Sequence, residues 1–122
     1  MTEILLDAKK LSEIAVKGLQ EIKGRNIVRM DLRNSDGSVT DFFVICTGTS
    51  DKHVEALADS VVKEMSDLGE KPISKEGFEH AEWILLDYVN VVVHIFLGDK
   101  REFYRLEGLW GDAEIERFSE EF

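Results

Sequence analysis

The sequence predicts an α+β fold, in which a mixed sheet of about five strands carries two long helices on one face and a short helix follows the last strand. Two stretches, at 3–23 and 52–68, repeat apolar residues at three- and four-residue steps, a spacing typical of amphipathic helices. Short β-rich runs bounded by glycine, asparagine and aspartate lie between and after them. The predicted order of elements is therefore α-β-β-α-β-β-β-α, which suits helices packed against a sheet.

The chain has the size of a single domain. Its 122 residues are 43% hydrophobic, which is enough apolar surface for a core and argues against a disordered chain. No internal repeat or linker interrupts it. We expect one domain at 1–111, followed by an acidic, flexible tail at 112–122.

The first half of the chain supplies the first helix and two strands. Thr2 is a suitable N-cap for that helix, and Gly24 is a suitable end. Residues 42–46 are continuously apolar, as is typical of a central strand covered on both faces. Residues 27–32 alternate in polarity, which predicts a half-buried strand with three apolar side chains on one face: Val28, Met30 and Leu32.

The second helix and the remaining elements follow from capping residues and alternation. Ser50 or Asp51 is expected to cap the second helix, and Gly69 sits where a helix-ending glycine is expected. The later elements are predicted to be an edge strand at 72–74, a loop at 77–81, strands at 83–88 and 91–97, and a short helix at 100–107.

The net charge limits the kinds of partner. Fifteen lysines and arginines stand against 25 aspartates and glutamates, which gives a net charge of −10. Such a chain is repelled by phosphate backbones and lacks the basic surface of a nucleic-acid binder. We therefore expect little or no direct contact with RNA, and a basic protein as partner if the chain acts near RNA. The simpler alternative is that the acidic charge serves solubility alone.

The cellular compartment is indicated by the cysteine content and by the first residues. The single cysteine, Cys46, excludes an internal disulfide, and nothing favours an oxidising compartment. Glu3 and Asp7 stand where a signal peptide would have an apolar segment. No apolar run approaches the ~20 residues of a membrane helix. We expect a cytoplasmic protein with no membrane partner.

The turn from Gly48 to Asp51, between a buried strand and a helix N-terminus, is a candidate nucleotide site. Main-chain N–H groups and the helix dipole there can hold a phosphate. The residues match no phosphate-binding motif, so a tight turn with a capped helix is the expected structure. A nucleotidyltransferase also needs paired carboxylates for two metals, whereas Asp87 is single. We expect no enzyme activity and no cofactor; a nucleotide-handling enzyme that uses this turn is the alternative.

Nucleophilic and metal sites find little support. Cys46 and His53 are chemically reasonable as a nucleophile pair, but a cysteine inside an apolar strand is far more often a small core residue. His53, His80 and His94 share no ligand spacing with one another or with the cysteine. We expect no metal site.

The last third of the chain concentrates the aromatic residues, since 83–110 holds both tryptophans and both tyrosines. If the alternating faces of its two strands coincide, they form a surface with aromatic, aliphatic and polar members, which is a candidate docking surface. The alternative is a single buried hydrogen bond between His94 and Asp87 beneath the helices. Strict alternation defines the two faces: Trp83, Leu85 and Asp87 on the first strand, and Val92, His94 and Phe96 on the second.

The predicted helix at 100–107 carries more apolar side chains than one short helix face can bury. Tryptophan, tyrosine and arginine are common interface anchors, so the exposed members would extend a docking surface. The alternative is that three of them cover the sheet edge, namely Phe103, Leu106 and Trp110. Both can hold at once, with Tyr104, Arg105 and Leu109 left facing outward.

A set of motifs spread over 3–112 carries a family resemblance, although none is specific alone. The motifs are DFFVICTGTSD at 41–51 with His53, KEG at 75–77, WILLDY at 83–88, VVVH at 91–94, REFY at 101–104, LE at 106–107 and LW at 109–110. Together they closely resemble the ribosomal silencing factor (Iojap/RsfS) family. The resemblance implies a bacterial translation repressor that binds the large ribosomal subunit through the ribosomal protein numbered fourteen. It further implies that the bound repressor blocks joining of the small subunit when nutrients are scarce.

The resemblance also implies a fold and a set of contact residues. The fold would be a five-stranded mixed sheet, related to the nucleotidyltransferases but non-catalytic, and often present as a homodimer. This chain has Val89-Asn90 where the family commonly has Gly-Asp, and valine tolerates positive φ poorly, so the turn type stays open. The implied docking residues are Trp83, Leu85, Asp87, Tyr88 and His94, with Arg101, Tyr104, Leu106, Glu107 and Trp110 nearby.

Overall fold

A computed structural model describes residues 7–34, 40–98 and 113–119. The elements up to the fifth strand occur in the predicted order, while the predicted helix at 100–107 lies outside the described residues. The described elements are α1 (Ala8–Glu21), β1 (Arg25–Asp31), β2 (Phe42–Gly48), α2 (Asp51–Ser66), β3 (Ser74–Glu76), β4 (Trp83–Asp87), β5 (Val91–Leu97) and β6 (Glu114–Arg117).

The strands form one mixed sheet with the spatial order β3-β4-β5-β2-β1-β6. β2 and β5 run parallel over seven residue pairs, from Phe42↔Val91 to Gly48↔Leu97. The other neighbouring strands are antiparallel. Almost every residue of β2 is buried, which confirms the prediction of a central strand covered on both faces. The α+β class is confirmed, with six strands among the described residues where about five were expected.

Two apolar layers enclose the sheet. The helix-side core joins both helices to the sheet, and Leu19, Leu57 and Val44 are among its fully buried members. Within the described ranges both helices pack on this side, as predicted, and neither is long and apolar enough to cross a membrane. The far-side core includes the three residues predicted to share one face of β1; its members are Val28, Met30, Leu32, Phe43, Ile45, Val92 and Phe96.

Short polar side chains begin both helices. Oδ1 of Asp7 accepts a hydrogen bond from the main-chain N–H three residues later, at 2.9 Å, so Asp7 caps α1. The predicted cap, Thr2, lies outside the described residues. Oγ of Ser50 accepts a hydrogen bond from the N–H of His53 at 3.0 Å, which confirms Ser50 as one of the two predicted caps of α2.

Glycines follow the two helices for different reasons. After α2, Gly69 adopts φ 82°, the left-handed conformation expected of a helix-ending glycine. After α1 the left-handed residue is Lys23, with φ 57°, and not the predicted Gly24. Gly24 is needed for space instead, because a Cβ on it would lie 2.5 Å from Sγ of Cys46.

The C-terminal residues form a strand that the sequence did not predict. Glu114–Arg117 pairs antiparallel with β1, so this part of the expected flexible tail at 112–122 is an edge strand instead. Arg29 of β1 holds it in place. The guanidinium group makes a 2.6 Å ion pair with Glu116 and donates a hydrogen bond to Oγ of Ser12 in α1 at 3.0 Å.

Gly77 marks a close approach between the loop after β3 and the start of β4. It has φ 90°, and a Cβ on it would overlap the main-chain oxygen of Trp83. Gly69 also has a positive φ, but a Cβ on it would meet nothing within 4 Å. An alanine at Gly69 would therefore suffer backbone strain alone, whereas an alanine at Gly77 would suffer both backbone strain and steric overlap.

We expect Gly77→Ala to lower the free energy of unfolding by about 3 kcal/mol or more, because the overlap adds to the strain of a left-handed alanine. The control variant, Gly69→Ala, should lose only about 1 kcal/mol, from that strain alone. Urea denaturation followed by circular dichroism measures both losses. Equal losses in the two variants would contradict the overlap at Gly77.

Candidate docking surface

Strands β4 and β5 bring the two predicted sets of side chains together on the far side of the sheet. Directly opposite residues of antiparallel strands point to the same face, so the two faces coincide. We call these six residues the aromatic face; their pairs are Trp83↔Phe96, Leu85↔His94 and Asp87↔Val92.

Trp83 is the half-buried anchor of the aromatic face. Its indole Nε1–H donates a hydrogen bond to Nδ1 of His94 at 3.0 Å. Its ring stacks on Phe96, with the ring centroids 5.1 Å apart and the planes inclined by 27°. The indole is therefore held by two side chains of the neighbouring strand while part of its surface reaches solvent. A large aromatic side chain with little freedom left to lose is well suited to anchor an interface.

His94 lies beneath this surface and is only 4% exposed. Its Nδ1 accepts the hydrogen bond from Trp83, which assigns the proton of the neutral ring to Nε2. Nε2 is buried and has no hydrogen-bond partner within the described residues. The ring meets Phe43 edge-on, with centroids 4.7 Å apart. Burial lowers the pKa of His94 from 6.5 to about 4, because an imidazolium ion is poorly solvated there.

Asp87 lies at the end of the aromatic face and does not bond to His94. Its Oδ1 accepts a hydrogen bond from the N–H of Val89 at 2.8 Å. His94 bonds to Trp83 instead, on the side of the sheet away from the helices. The alternative of a buried His94–Asp87 bond beneath the helices is therefore wrong. Asp87 remains a half-buried carboxylate at the margin of the surface.

Tyr88 is not part of the aromatic face. It is 6% exposed and belongs to the helix-side core. Burial, and to a smaller extent the carboxylate of Glu70, raises the pKa of Tyr88 to about 12. Half of the implied docking residues lie outside the described part of the chain: Arg101, Tyr104, Leu106, Glu107 and Trp110.

Two supporting residues were not among the sequence candidates. Phe96 was placed on the right face of its strand but was not recognised as the platform for Trp83. Phe43 stands in the continuous apolar run at 42–46, where no alternation shows which face a residue takes. Its position in the far-side core, next to His94, follows only from the pairing of β2 with β5.

In the turn between β2 and α2, main-chain N–H groups that could bind a phosphate are already bonded to side chains of the same turn. The N–H of Thr49 donates to Nδ1 of His53 at 2.9 Å, and the N–H of His53 donates to Oγ of Ser50 at 3.0 Å. Oδ1 of Asp51 accepts from the N–H of Lys52 at 2.7 Å and puts a carboxylate where a phosphate would bind. The tight, capped turn expected from the sequence is confirmed.

Cys46 and His53 do not form a nucleophile pair. Cys46 is fully buried in the helix-side core. Both ring nitrogens of His53 are engaged, Nδ1 by Thr49 and Nε2 by the main-chain oxygen of Ile22 at 2.7 Å. His53 therefore connects the end of α1 to the start of α2. In the ranges that the structure covers, no three histidine, cysteine, aspartate or glutamate side chains are grouped to hold a metal ion.

The sheet and its two helices define the structural class of this protein. The described part of the chain is an α+β domain whose mixed sheet carries an anchored, half-buried tryptophan on its far side. A family model described as "Ribosomal silencing factor during starvation" matches residues 6–121. The chain belongs to the ribosomal silencing factor (RsfS) family, which is named for a regulatory role at the ribosome.

Individual relatives agree with this assignment. The ribosomal silencing factor RsfS of Haemophilus influenzae is 41% identical over 100 residues, covering 82% of this chain and 97% of the relative. A mouse protein named mitochondrial assembly of ribosomal large subunit protein 1 is 36% identical over 74 residues, covering 58% of this chain and 32% of that protein. A crystal structure of a Chromobacterium violaceum protein superposes with a TM-score of 0.82 at 33% identity and covers 93% of each chain.

The burial of neutral His94 predicts a specific pH dependence of stability. The pKa of His94 is about 4 in the folded chain and 6.5 ordinarily. Between these two pH values, His94 is therefore protonated in the unfolded chain and neutral in the folded chain. Stability should therefore fall as the pH is lowered from 6.5 towards 4, and His94 should account for about 2 kcal/mol between pH 7 and pH 5. Urea denaturation at the two pH values measures the total loss.

His94→Gln is the control, since glutamine cannot titrate and keeps a polar group beside Trp83. Between pH 7 and pH 5, this variant should lose less free energy of unfolding than the wild type, by the share of about 2 kcal/mol assigned to His94. Identical pH dependence in the variant and the wild type would contradict the burial of a neutral His94.

Proposed function

We propose that this chain binds the large ribosomal subunit through the ribosomal protein numbered fourteen and, while bound, blocks joining of the small subunit. Translation in the cytoplasm would fall as a result when nutrients are scarce. Membership of the ribosomal silencing factor family supports a silencing role at the ribosome. The name of the mouse relative supports the large subunit as the partner.

The observation that carries the proposal is the anchored position of Trp83. Its Nε1–H is already bonded to His94, so docking leaves no unpaired donor to be desolvated. Its stacking on Phe96 has already removed much of the ring's freedom, which lowers the entropic cost of binding. Leu85 adds apolar area beside it, and Asp87 adds a carboxylate at the margin. An aromatic anchor with a charged rim is the usual composition of a protein–protein interface.

The charge of the chain supports a basic protein as the direct partner. A net charge of −10 speeds encounter with a basic protein and opposes contact with ribosomal RNA. Asp87 would fix the register of the complex, since a charged group at the rim of an interface mainly governs specificity and the rate of association. We therefore propose little or no direct contact with RNA.

The burial pattern suggests different parts for the implied docking residues. We propose that Trp83, Leu85 and Asp87 contact the partner, whereas the buried His94 supports Trp83 from beneath. Tyr88 would not touch the partner and would contribute only by stabilising the helix-side core. The remaining five implied residues, Arg101, Tyr104, Leu106, Glu107 and Trp110, stay predicted contacts.

The proposed mechanism is steric exclusion. A domain of this size bound to the joining face of the large subunit occupies space that the small subunit requires. No covalent step, cofactor or metal is needed for this effect. The homodimer that the resemblance implies stays a prediction.

We expect Trp83→Ala to weaken binding to purified large ribosomal subunits by about fivefold or more, which corresponds to at least about 1 kcal/mol. Quantitative co-sedimentation measures the affinity, and thermal denaturation checks that the variant is folded. Leu68→Ala is the control, because Leu68 is a 48% exposed apolar residue just after α2 and lies outside the aromatic face. Wild-type affinity in folded Trp83→Ala would show that Trp83 is only a structural residue.

The silencing mechanism itself is tested on sucrose gradients. Large subunits saturated with the protein should form fewer complete ribosomes when small subunits are titrated in, and wild-type protein should migrate with the large subunit. Trp83→Ala at the same concentration should inhibit less. Absence of co-sedimentation, together with nucleotide turnover by the purified chain, would instead favour the enzyme alternative at the Gly48–Asp51 turn.

A further inference from the structure

The turn between β4 and β5 is strained at Val89. This residue has φ 73°, and the N–H of Asn90 donates across it to the main-chain oxygen of Tyr88 at 2.9 Å. A bond from residue i+2 to residue i around a positive φ is the pattern of the classic γ-turn, which is rare and strained. A β-branched residue in this conformation is a genuine outlier, since its Cβ crowds the main chain.

The surrounding main chain holds the strained conformation in place. The N–H of Tyr88 donates to the main-chain oxygen of Val91 at 2.8 Å. The main-chain oxygen of Asn90 accepts from the N–H groups of both Asp41 and Phe42, each at 3.1 Å, which ties the turn to the start of β2. Glycine would adopt the same conformation without strain. The valine side chain therefore costs conformational energy here.

Packing does not explain why a valine stands at this position. The side chain is 52% exposed, so it contributes little to either core. Backbone strain that packing does not repay is most often found at functional sites. Val89 lies next to the proposed docking residues, since its N–H donates a hydrogen bond to Oδ1 of Asp87 at 2.8 Å. The turn thus continues the surface formed by Trp83, Leu85 and Asp87.

We propose that Val89 is a contact residue that extends the docking surface beyond the end of β4, where it meets the same basic protein as Trp83. This inference rests on the proposed function. The chemistry of the site favours such a partner. Oδ2 of Asp87 makes no hydrogen bond within the described residues and can receive a lysine or arginine, while the exposed valine offers an apolar contact beside it. The geometry thus selects a cationic side chain with an apolar neighbour.

The decisive variant is Val89→Gly, which removes both the strain and the apolar contact. We expect its melting temperature to rise by about 3 °C or more, because glycine is unstrained at this φ. Its affinity for purified large ribosomal subunits should fall by about fivefold, the effect of losing one half-buried valine contact. Higher stability together with lower affinity would exclude loss of the fold as the cause of the weaker binding.

A second variant, Val89→Asn, excludes loop flexibility as the cause. Asparagine adopts a positive φ more readily than valine but is polar, so the affinity of Val89→Asn should fall as in Val89→Gly. Wild-type affinity in Val89→Asn, with a loss only in Val89→Gly, would overturn the proposal. Leu68→Ala again serves as the matched exposed apolar control and should keep wild-type affinity.

The experiment also separates this inference from the function on which it rests. If Trp83→Ala weakens binding while both Val89 variants bind like the wild type, the inference about Val89 is wrong and the proposed function stands. If the wild-type protein does not bind large subunits at all, the proposed function fails and the inference fails with it.

Discussion

The parallel pairing of β2 with β5 fixes the positions of the second helix and of the aromatic face. Seven consecutive residue pairs join the two strands, and both strands are almost entirely buried. Parallel strands cannot be joined by a tight turn, so the chain between them must cross over, and it uses α2, β3 and β4 to do so. That crossover puts α2 against α1 on one face of the sheet. It also puts β4 beside β5, where Trp83 meets His94.

The two faces of the sheet give neighbouring residues separate roles. Asp87 and Tyr88 are adjacent in sequence and belong to one family-like motif, yet Asp87 lies at the margin of the aromatic face and Tyr88 in the helix-side core. The cause is the two-residue period of an extended chain, which sends successive side chains to opposite faces. A motif that spans a strand therefore combines docking residues with residues that only stabilise the fold.

The region around the aromatic face contains features that cost stability. Nε2 of His94 is buried without a partner among the described residues, and a buried unpaired polar group is unfavourable. Val89 is strained, and its side chain remains in solvent. Such costs also occur in the helix-side core, where Oη of Tyr88 is buried without a hydrogen-bond partner among the described residues and Ala81 has φ 53°. The burial of apolar side chains in the two cores offsets these costs.

Local periodicity, capping residues and short motifs were enough to predict the helices, five of the six described strands, the residues that share a face, and the family. They did not predict β6, whose four residues are mostly charged and show no strand pattern. This strand is held by the bond between Arg29 and Glu116, which are 87 positions apart. The sequence placed His94 and Trp83 on two faces that could coincide, but the hydrogen-bond partner it named for His94 was Asp87, and not Trp83. Alternation shows which residues share a face, but not which face is covered or which atoms meet across strands. Three features required the three-dimensional contacts: the burial of His94, the half-exposed position of Trp83 above it, and the strain at Val89. Phe43, which packs on His94, and Asp41 and Phe42, whose N–H groups bond to the turn at Asn90, lie far from these residues in sequence.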